Sequence, residues 1–122
     1  MDSYRCWRDV AMNGNGKIAN NTVVSYNETN GEVTIRLYET DVVTWHPDGS
    51  VTYRTGGHVT KTTKDRLNAY GHPNHAISQR RGKWYIHFRG EDRIEPLDDG
   101  GTYGPSGLMY FGGTTPRPVV AA

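Results

Sequence analysis

The sequence predicts a mainly β (α+β) domain: an antiparallel meander of about five to six strands with one short helix near residues 63–70. Two observations carry this prediction. Apolar and polar residues alternate over Val33–Glu39 and again over Trp84–Phe88, which is the period of a half-buried strand. Turn-forming residues separate such runs at short intervals, most clearly at His46-Pro47-Asp48-Gly49.

That turn predicts a hairpin between Val42–Trp45 and Ser50–Arg54. Pro47 presets φ for the second position of a type I turn, Asp48 can accept bonds from backbone amides, and Gly49 suits a left-handed position. We expect a G1 bulge to follow.

The other strands are predicted from weaker signals. A first strand covers about Ile18–Tyr26, with Val23, Val24 and Tyr26 expected to be buried. A second hairpin covers Ala76–Phe88, turning at residues 80–83, and an edge strand covers Arg93–Leu97 because Pro96 cannot donate to a ladder.

The helix is predicted from its ends. Thr62 with Asp65 resembles a capping box, Gly71 suits a C′ position, and Pro73 prevents continuation. Leu67 and Tyr70 should face inward.

Composition and turn residues divide the chain into three parts. Residues 1–16 show no strand or helix period and are expected to be irregular, residues 17–97 form the single β-rich domain, and residues 98–122 form a Gly/Pro-rich tail. Leu, Ile, Val and Phe make up only about a sixth of the 122 residues, and eight Tyr and three Trp add apolar area. A thin aromatic core favours self-association, so a homo-oligomer is expected.

Charge and length exclude several classes of protein. The formal net charge of +1 argues against a general nucleic-acid coat and against an acidic DNA mimic. No apolar run approaches the roughly 18 to 20 residues that span a bilayer, so no membrane partner is expected. Cys6 is the only cysteine, which excludes an intrachain disulfide and favours a cytoplasmic site of action.

No catalytic or metal site is predicted. The five histidines lack the paired spacing of a zinc site, and Pro73 keeps His72 and His75 off one helix face. No Gly-x-Ser-x-Gly elbow is present, and spacing does not bring Glu39, Asp41 and Glu95 together. We therefore expect a protein that is not an enzyme and needs no cofactor.

One segment is typical of an anion site. A glycine pair precedes hydroxyl and basic residues at the predicted helix start, where backbone N–H groups attract anions. The alternative is a well-capped helix with solvated cations. The predicted ligand- or partner-binding residues are Gly56, Gly57, Thr60, Thr62, Thr63, Lys64, Arg66 and Asn68.

A second basic element lies at the turn of the second hairpin. Arg80, Arg81 and Lys83 precede Trp84 and Tyr85, and cations beside aromatic rings suit single-stranded nucleic acid. The alternative is a charged turn that aids solubility, with Trp84 in the core.

Several motifs carry a resemblance to a known group. They are Asn21-Thr22, residues 35–43, Pro47-Asp48-Gly49, residues 56–68 and Lys83-Trp84-Tyr85. Across roughly residues 17–88 the chain resembles a family of small proteins encoded by bacteriophages and prophages. The resemblance implies an accessory gene product acting in the cytoplasm of an infected bacterium, and it brings no activity with it.

Three hypotheses follow from the residues and the resemblance together. The first is a non-catalytic binding protein that inhibits a host defence system, with a host protein complex or an anionic ligand such as a nucleotide as its partner. The second is a minor virion or assembly component. The third is a small nucleic-acid-binding regulator.

Overall fold

The computed structural model describes residues 3–13, 16–57, 60–105 and 107–110. These residues form two helices and ten strands. In chain order they are α1 (Ser3–Asn13), β1 (Lys17–Ala19), β2 (Thr22–Tyr26), β3 (Val33–Leu37), β4 (Thr40–Trp45), β5 (Val51–Tyr53), α2 (Lys61–Tyr70), β6 (His75–Arg80), β7 (Lys83–Phe88), β8 (Arg93–Pro96), β9 (Thr102–Gly104) and β10 (Gly107–Tyr110). The predicted mainly β class is confirmed.

The strands form two antiparallel sheets. The larger has seven strands in the order β1-β2-β3-β4-β5-β9-β10, and the smaller has three in the order β6-β7-β8. Consecutive strands pair within each sheet, and β9 pairs with β5 because the intervening strands β6–β8 form the smaller sheet. The meander is therefore correct in kind, but the predicted number of strands is too small.

The hairpin of β4 and β5 is confirmed in detail. The amide of Gly49 donates to the carbonyl of His46 at 2.9 Å, and Gly49 has φ +90°. Asp48 Oδ1 accepts bonds from the amide and the hydroxyl of Ser50, at 2.8 and 2.6 Å. Each turn residue acts through backbone geometry, as its chemistry predicts.

Two segments near the ends of the described chain differ from the expectation, and residues 111–122 of the expected tail lie outside the described residues. Residues 3–13, expected to be irregular, form α1, which buries Tyr4 and stacks Trp7 edge-on against Tyr70 at 5.1 Å between ring centroids. In the expected tail, β9 and β10 extend the larger sheet, and Tyr103 is fully buried. Tertiary contacts stabilise these segments, and local sequence signals do not report them.

The first predicted strand is interrupted, which is a further correction. Asn21 has φ +54° and separates β1 from β2. Val24 is buried as predicted, but Val23 points to the outer face and is 43% exposed.

Helix α2 begins two residues earlier than predicted. Its N-cap is Thr60, whose hydroxyl accepts from the amide of Thr63, so the assignment of the cap to Thr62 is wrong. Leu67 is buried as expected. Gly71 is extended, with φ −81°, and is needed because a Cβ would lie 2.6 Å from the Tyr53 hydroxyl.

The smaller sheet follows the prediction closely. Arg81 and Gly82, with φ +53° and +79°, form the two-residue turn between β6 and β7. Trp84, Ile86 and Phe88 are buried, and β8 with Pro96 lies at the edge of the sheet.

The core lies between the inner face of the larger sheet, the two helices and the smaller sheet. The Trp45 indole donates to the carbonyl of Tyr70 at 2.9 Å, which joins β4 to the end of α2. The rings of Phe88 and Tyr103, with centroids 6.1 Å apart, join the two sheets. Neither α1 nor α2 is long and apolar enough to cross a membrane.

Candidate functional site

A cleft of about 740 Å³ opens where the β3–β4 turn faces the first turn of α2. This volume is typical of sites for small ligands. Its wall is rich in threonine hydroxyls over an apolar base. The lining residues are Leu37, Tyr38, Glu39, Thr40, Val42, Thr55, Thr60, Thr62 and Thr63.

The helix side of the cleft is organised by the N-cap. Thr60 Oγ1 accepts from the amide of Thr63 and lies 3.2 Å from the Thr63 hydroxyl. These bonds hold the first turn of α2 with its N-terminal end, the positive end of the helix dipole, at the cleft.

The loop after β5 is held against the opposite wall. Asp99 accepts from both the amide and the hydroxyl of Thr55, and the amide of Gly57 donates to the Thr55 hydroxyl at 3.2 Å. Gly56 has φ +62°, and a Cβ there would lie 2.7 Å from the Thr40 side chain. Glycine is thus required for the loop to approach β4.

Two of the hydroxyls are free for a ligand. Within the described residues, the Thr55, Thr60 and Thr63 hydroxyls are all bonded in the fold, whereas those of Thr40 and Thr62 make no hydrogen bond. The cleft therefore offers open polar groups beside a preorganised wall.

The charges of the cleft are arranged by wall. Glu39 is the acidic residue of the β3–β4 turn. On α2, Lys61 donates to Asp65 at 2.9 Å, and this bond holds the pKa of Asp65 below its usual value, assisted by the charges of Lys64 and Arg66. The cleft lining thus carries one acidic side chain, Glu39, at the β3–β4 turn and uncharged threonines at the start of α2.

Three of the eight predicted ligand-binding residues line this cleft. Thr60, Thr62 and Thr63 line it, Gly56 and Gly57 form the adjoining loop, and Lys64 is half-buried one turn into α2. The opposite wall, Leu37–Thr40, was not predicted, because its contribution depends on the pairing of β3 with β4.

Two predicted residues do not reach the cleft. Arg66 Nε donates to the Thr22 hydroxyl at 3.0 Å, so its guanidinium faces the β1–β2 connection. Asn68 bonds both the amide and the carbonyl of Ile77, at 2.7 and 2.9 Å, and so joins α2 to β6. Both side chains are used in the fold.

The second predicted basic element forms a shallow depression of about 450 Å³. It is lined by Arg80, Arg81, Lys83 and Tyr85. Trp84 points to the opposite side and is 8% exposed, so the aromatic ring available beside these cations is that of Tyr85.

His72 and His75 have structural roles in the fold. His75 Nε2 donates to the carbonyl of Gly104 at 2.8 Å, and its Nδ1 accepts from the Tyr53 hydroxyl at 2.7 Å. His72 Nδ1 accepts from the amide of Asn74. Among the described residues no three His, Cys, Asp or Glu side chains are placed to hold a metal ion. His58 lies outside those residues.

The three carboxylates Glu39, Asp41 and Glu95 lie in different parts of the fold. Asp41 accepts from Arg36 Nε at 2.7 Å, Glu95 pairs with Arg93 in the smaller sheet, and Glu39 lies at the cleft.

Sequence reasoning missed a polar chain across the larger sheet. Glu32 lies 3.0 Å from His46 Nδ1, His46 Nε2 lies 2.7 Å from Thr52 Oγ1, and the Thr52 and Thr102 hydroxyls are 2.6 Å apart. The order carboxylate, imidazole, hydroxyl matches a catalytic triad, but Thr52 is only 2% exposed. Burial of this hydroxyl makes the chain a structural link. Strand pairing of β4, β5 and β9, which creates it, has no signal in the sequence.

Comparison with known proteins identifies a family. The model of a phage protein family described as Kyanoviridae Gp96 protein matches residues 5–104. No curated protein and no solved structure matches the chain.

Proposed function

We propose that this chain, which belongs to the Kyanoviridae Gp96 protein family of phages, acts by binding an anionic small ligand such as a nucleotide, without catalytic turnover. The observation that carries the proposal is the threonine-lined cleft at the start of α2. In an infected bacterium such a protein would inhibit a host defence system by sequestering its signalling nucleotide in the cytoplasm.

The cleft supports binding for three reasons. Its volume suits a ligand of nucleotide size. The Thr40 and Thr62 hydroxyls can donate to an anion, and the N-terminus of α2 favours negative charge there. The bonds of Thr55 and Thr60 hold the walls in place before a ligand arrives, which lowers the entropic cost of binding.

Isothermal titration calorimetry with a panel of linear and cyclic nucleotides tests the proposal. We expect Thr62→Val to weaken binding by about tenfold or more, since a hydrogen bond to a charged group contributes about 1.5–3 kcal/mol. Thr29→Val, at an exposed threonine of the β2–β3 turn, is the matched control and should bind like the parent. Arg66→Ala is unsuitable here because Arg66 bonds Thr22.

Two results would contradict the proposal. One is the absence of heat with every nucleotide, in which case affinity capture from infected cells would test a host protein complex as the partner. The other is detection of the chain in purified particles by mass spectrometry, which would favour a virion component.

A second candidate function is supported by the depression at Arg80, Arg81, Lys83 and Tyr85. Cations around an exposed aromatic ring are typical of single-stranded nucleic-acid sites. If this surface acts in a regulator, binding to a single-stranded oligonucleotide should fall steeply with salt, because phosphate contacts release counterions. Lack of binding at low salt would reject it.

A further inference from the structure

Tyr38 occupies a backbone conformation that suits glycine. It is the first residue of the two-residue turn between β3 and β4, where Leu37 pairs with Thr40. Its φ is +55°, in the left-handed region. Such turn positions favour Gly, Asn or Asp, and a bulky residue there is a true outlier.

Burial of the Tyr38 ring does not offset the cost of this backbone conformation. It is 68% exposed and lines the rim of the cleft. A large aromatic side chain that is strained and exposed lowers stability without adding to the core. Strain of this kind is found at functional sites, where the rest of the fold holds it in place.

Asn21 provides that support. The Tyr38 amide donates to the Asn21 carbonyl at 2.9 Å, and Asn21 Nδ2 donates to the Tyr38 hydroxyl at 3.0 Å. Asn21 is itself left-handed, with φ +54°. Asn adopts this conformation readily, so Asn21 holds the Tyr38 ring at the cleft, and the phenol oxygen is already engaged. The surface left for a ligand is the ring itself.

The charges of the cleft suggest how a ligand would lie. Glu39 is adjacent to Tyr38 and would repel a phosphate at this end, whereas it can accept hydrogen bonds from ribose hydroxyls or base amino groups. The anionic group belongs at the opposite end, near the free Thr62 hydroxyl and the N-terminus of α2.

We infer that Tyr38 determines specificity in the cleft by stacking on the nucleobase of a nucleoside phosphate, with the phosphate directed to the first turn of α2. The inference rests on the proposed function and names the part of the ligand that the protein selects.

Calorimetry with AMP and GMP, each compared with ribose 5-phosphate, tests the inference. Base–aromatic stacking predicts that the parent binds at least one nucleotide about tenfold more tightly than ribose 5-phosphate. Tyr38→Gly should abolish this preference, keep the affinity for ribose 5-phosphate and raise the melting temperature. Tyr38→Phe should keep the preference.

Asp92→Gly is the matched control for the backbone effect. Asp92 is an exposed, left-handed residue of the β7–β8 turn, with φ +50°. Its replacement by glycine should raise the melting temperature and leave nucleotide affinity unchanged.

The possible results separate the two proposals. Equal affinities for the nucleotides and ribose 5-phosphate in the parent would overturn the role of Tyr38 and leave the proposed function standing. Binding by none of these probes would overturn the inference, and absence of binding across the wider nucleotide panel would overturn the proposed function as well. A lower melting temperature for Tyr38→Gly would show that Tyr38 stabilises the turn, which also overturns the inference.

Discussion

His75 is a neutral histidine held by bonds that suit only one protonation state. Its Nε2 donates to Gly104 and its Nδ1 accepts from Tyr53, whose hydroxyl oxygen also accepts from the amide of His72. Phe88 and Tyr103 pack against the ring. Protonation of Nδ1 would remove the acceptor of the Tyr53 O–H group, and the hydroxyl hydrogen of Tyr53 would then have no acceptor.

We expect stability to fall as the pH falls from about 6.5 to about 4. Burial lowers the pKa of His75 to about 4, so the unfolded chain binds a proton in this window and the folded chain does not. The loss of unfolding free energy should approach about 3 kcal/mol, at about 1.4 kcal/mol per pKa unit. It should not increase further below pH 4, where His75 is protonated in both states. Burial also lowers the pKa of His72, which acts in the same direction.

Urea denaturation at successive pH values measures this effect. His75→Gln should lower stability at neutral pH and flatten the slope between pH 6.5 and 4. A slope as steep in the variant as in the parent would assign the pH dependence to other groups.

Single residues could be assigned from sequence where their roles are local. The sequence places Thr60, Thr62 and Thr63 near a helix start because capping depends on neighbours in the chain, although it assigns the cap to Thr62 and not to Thr60. The partners of Arg66 and Asn68, at Thr22 and Ile77, lie on other elements. Their structural roles were therefore invisible in the sequence.

At the scale of elements, substitutions of Thr60 and Thr62 distinguish a capping role from a ligand-binding role. Thr60→Ala should lower the free energy of unfolding by about 1 kcal/mol, since its hydroxyl accepts from the amide of Thr63. Thr62→Ala should change it by less than about 0.5 kcal/mol, as for an exposed position outside the cap. Chemical denaturation measures both. A larger loss for Thr62→Ala would return the cap to the position expected from sequence.

The elements that were predicted well are those whose turns determine them. The β4–β5 and β6–β7 hairpins each have turn residues that fix the register of their strands. By contrast, α1 depends on contacts of Tyr4 with Gly31 and of Trp7 with Tyr70. Likewise β9 becomes a strand by pairing with β5, far away in sequence. Long-range pairing has no short-range signature.

At the scale of the whole molecule, self-association remains a prediction. The outer face of the larger sheet carries Val23, but Ser25, Thr34 and Arg36 around it are polar. Such a face offers little apolar area for the expected self-association. Multi-angle light scattering at increasing concentration should show a mass above 13.7 kDa if copies associate, and a constant monomer mass would reject the prediction.

Tyr103 links the two sheets and should make them unfold together. It is fully buried on β9, contacts Tyr53 and Phe88 at 5.9 and 6.1 Å between centroids, and accepts from the amide of Asp98 at 2.8 Å. Tyr103→Ala should cost about 3–5 kcal/mol, the range for a large aromatic in a core. Tyr103→Phe should cost about 1–3 kcal/mol, because it leaves the Asp98 amide without this acceptor.

Hydrogen exchange followed by mass spectrometry measures the coupling between the sheets. In Tyr103→Ala, protection should fall in β4 of the larger sheet and in β7 of the smaller sheet to the same extent. Tyr85→Ala, at a half-buried tyrosine on the other face of β7, is the matched control and should leave β4 unaffected. If β4 lost protection while β7 kept it, the sheets would be independent folding units, and the aromatic contact across β9 would contribute nothing to their cooperativity.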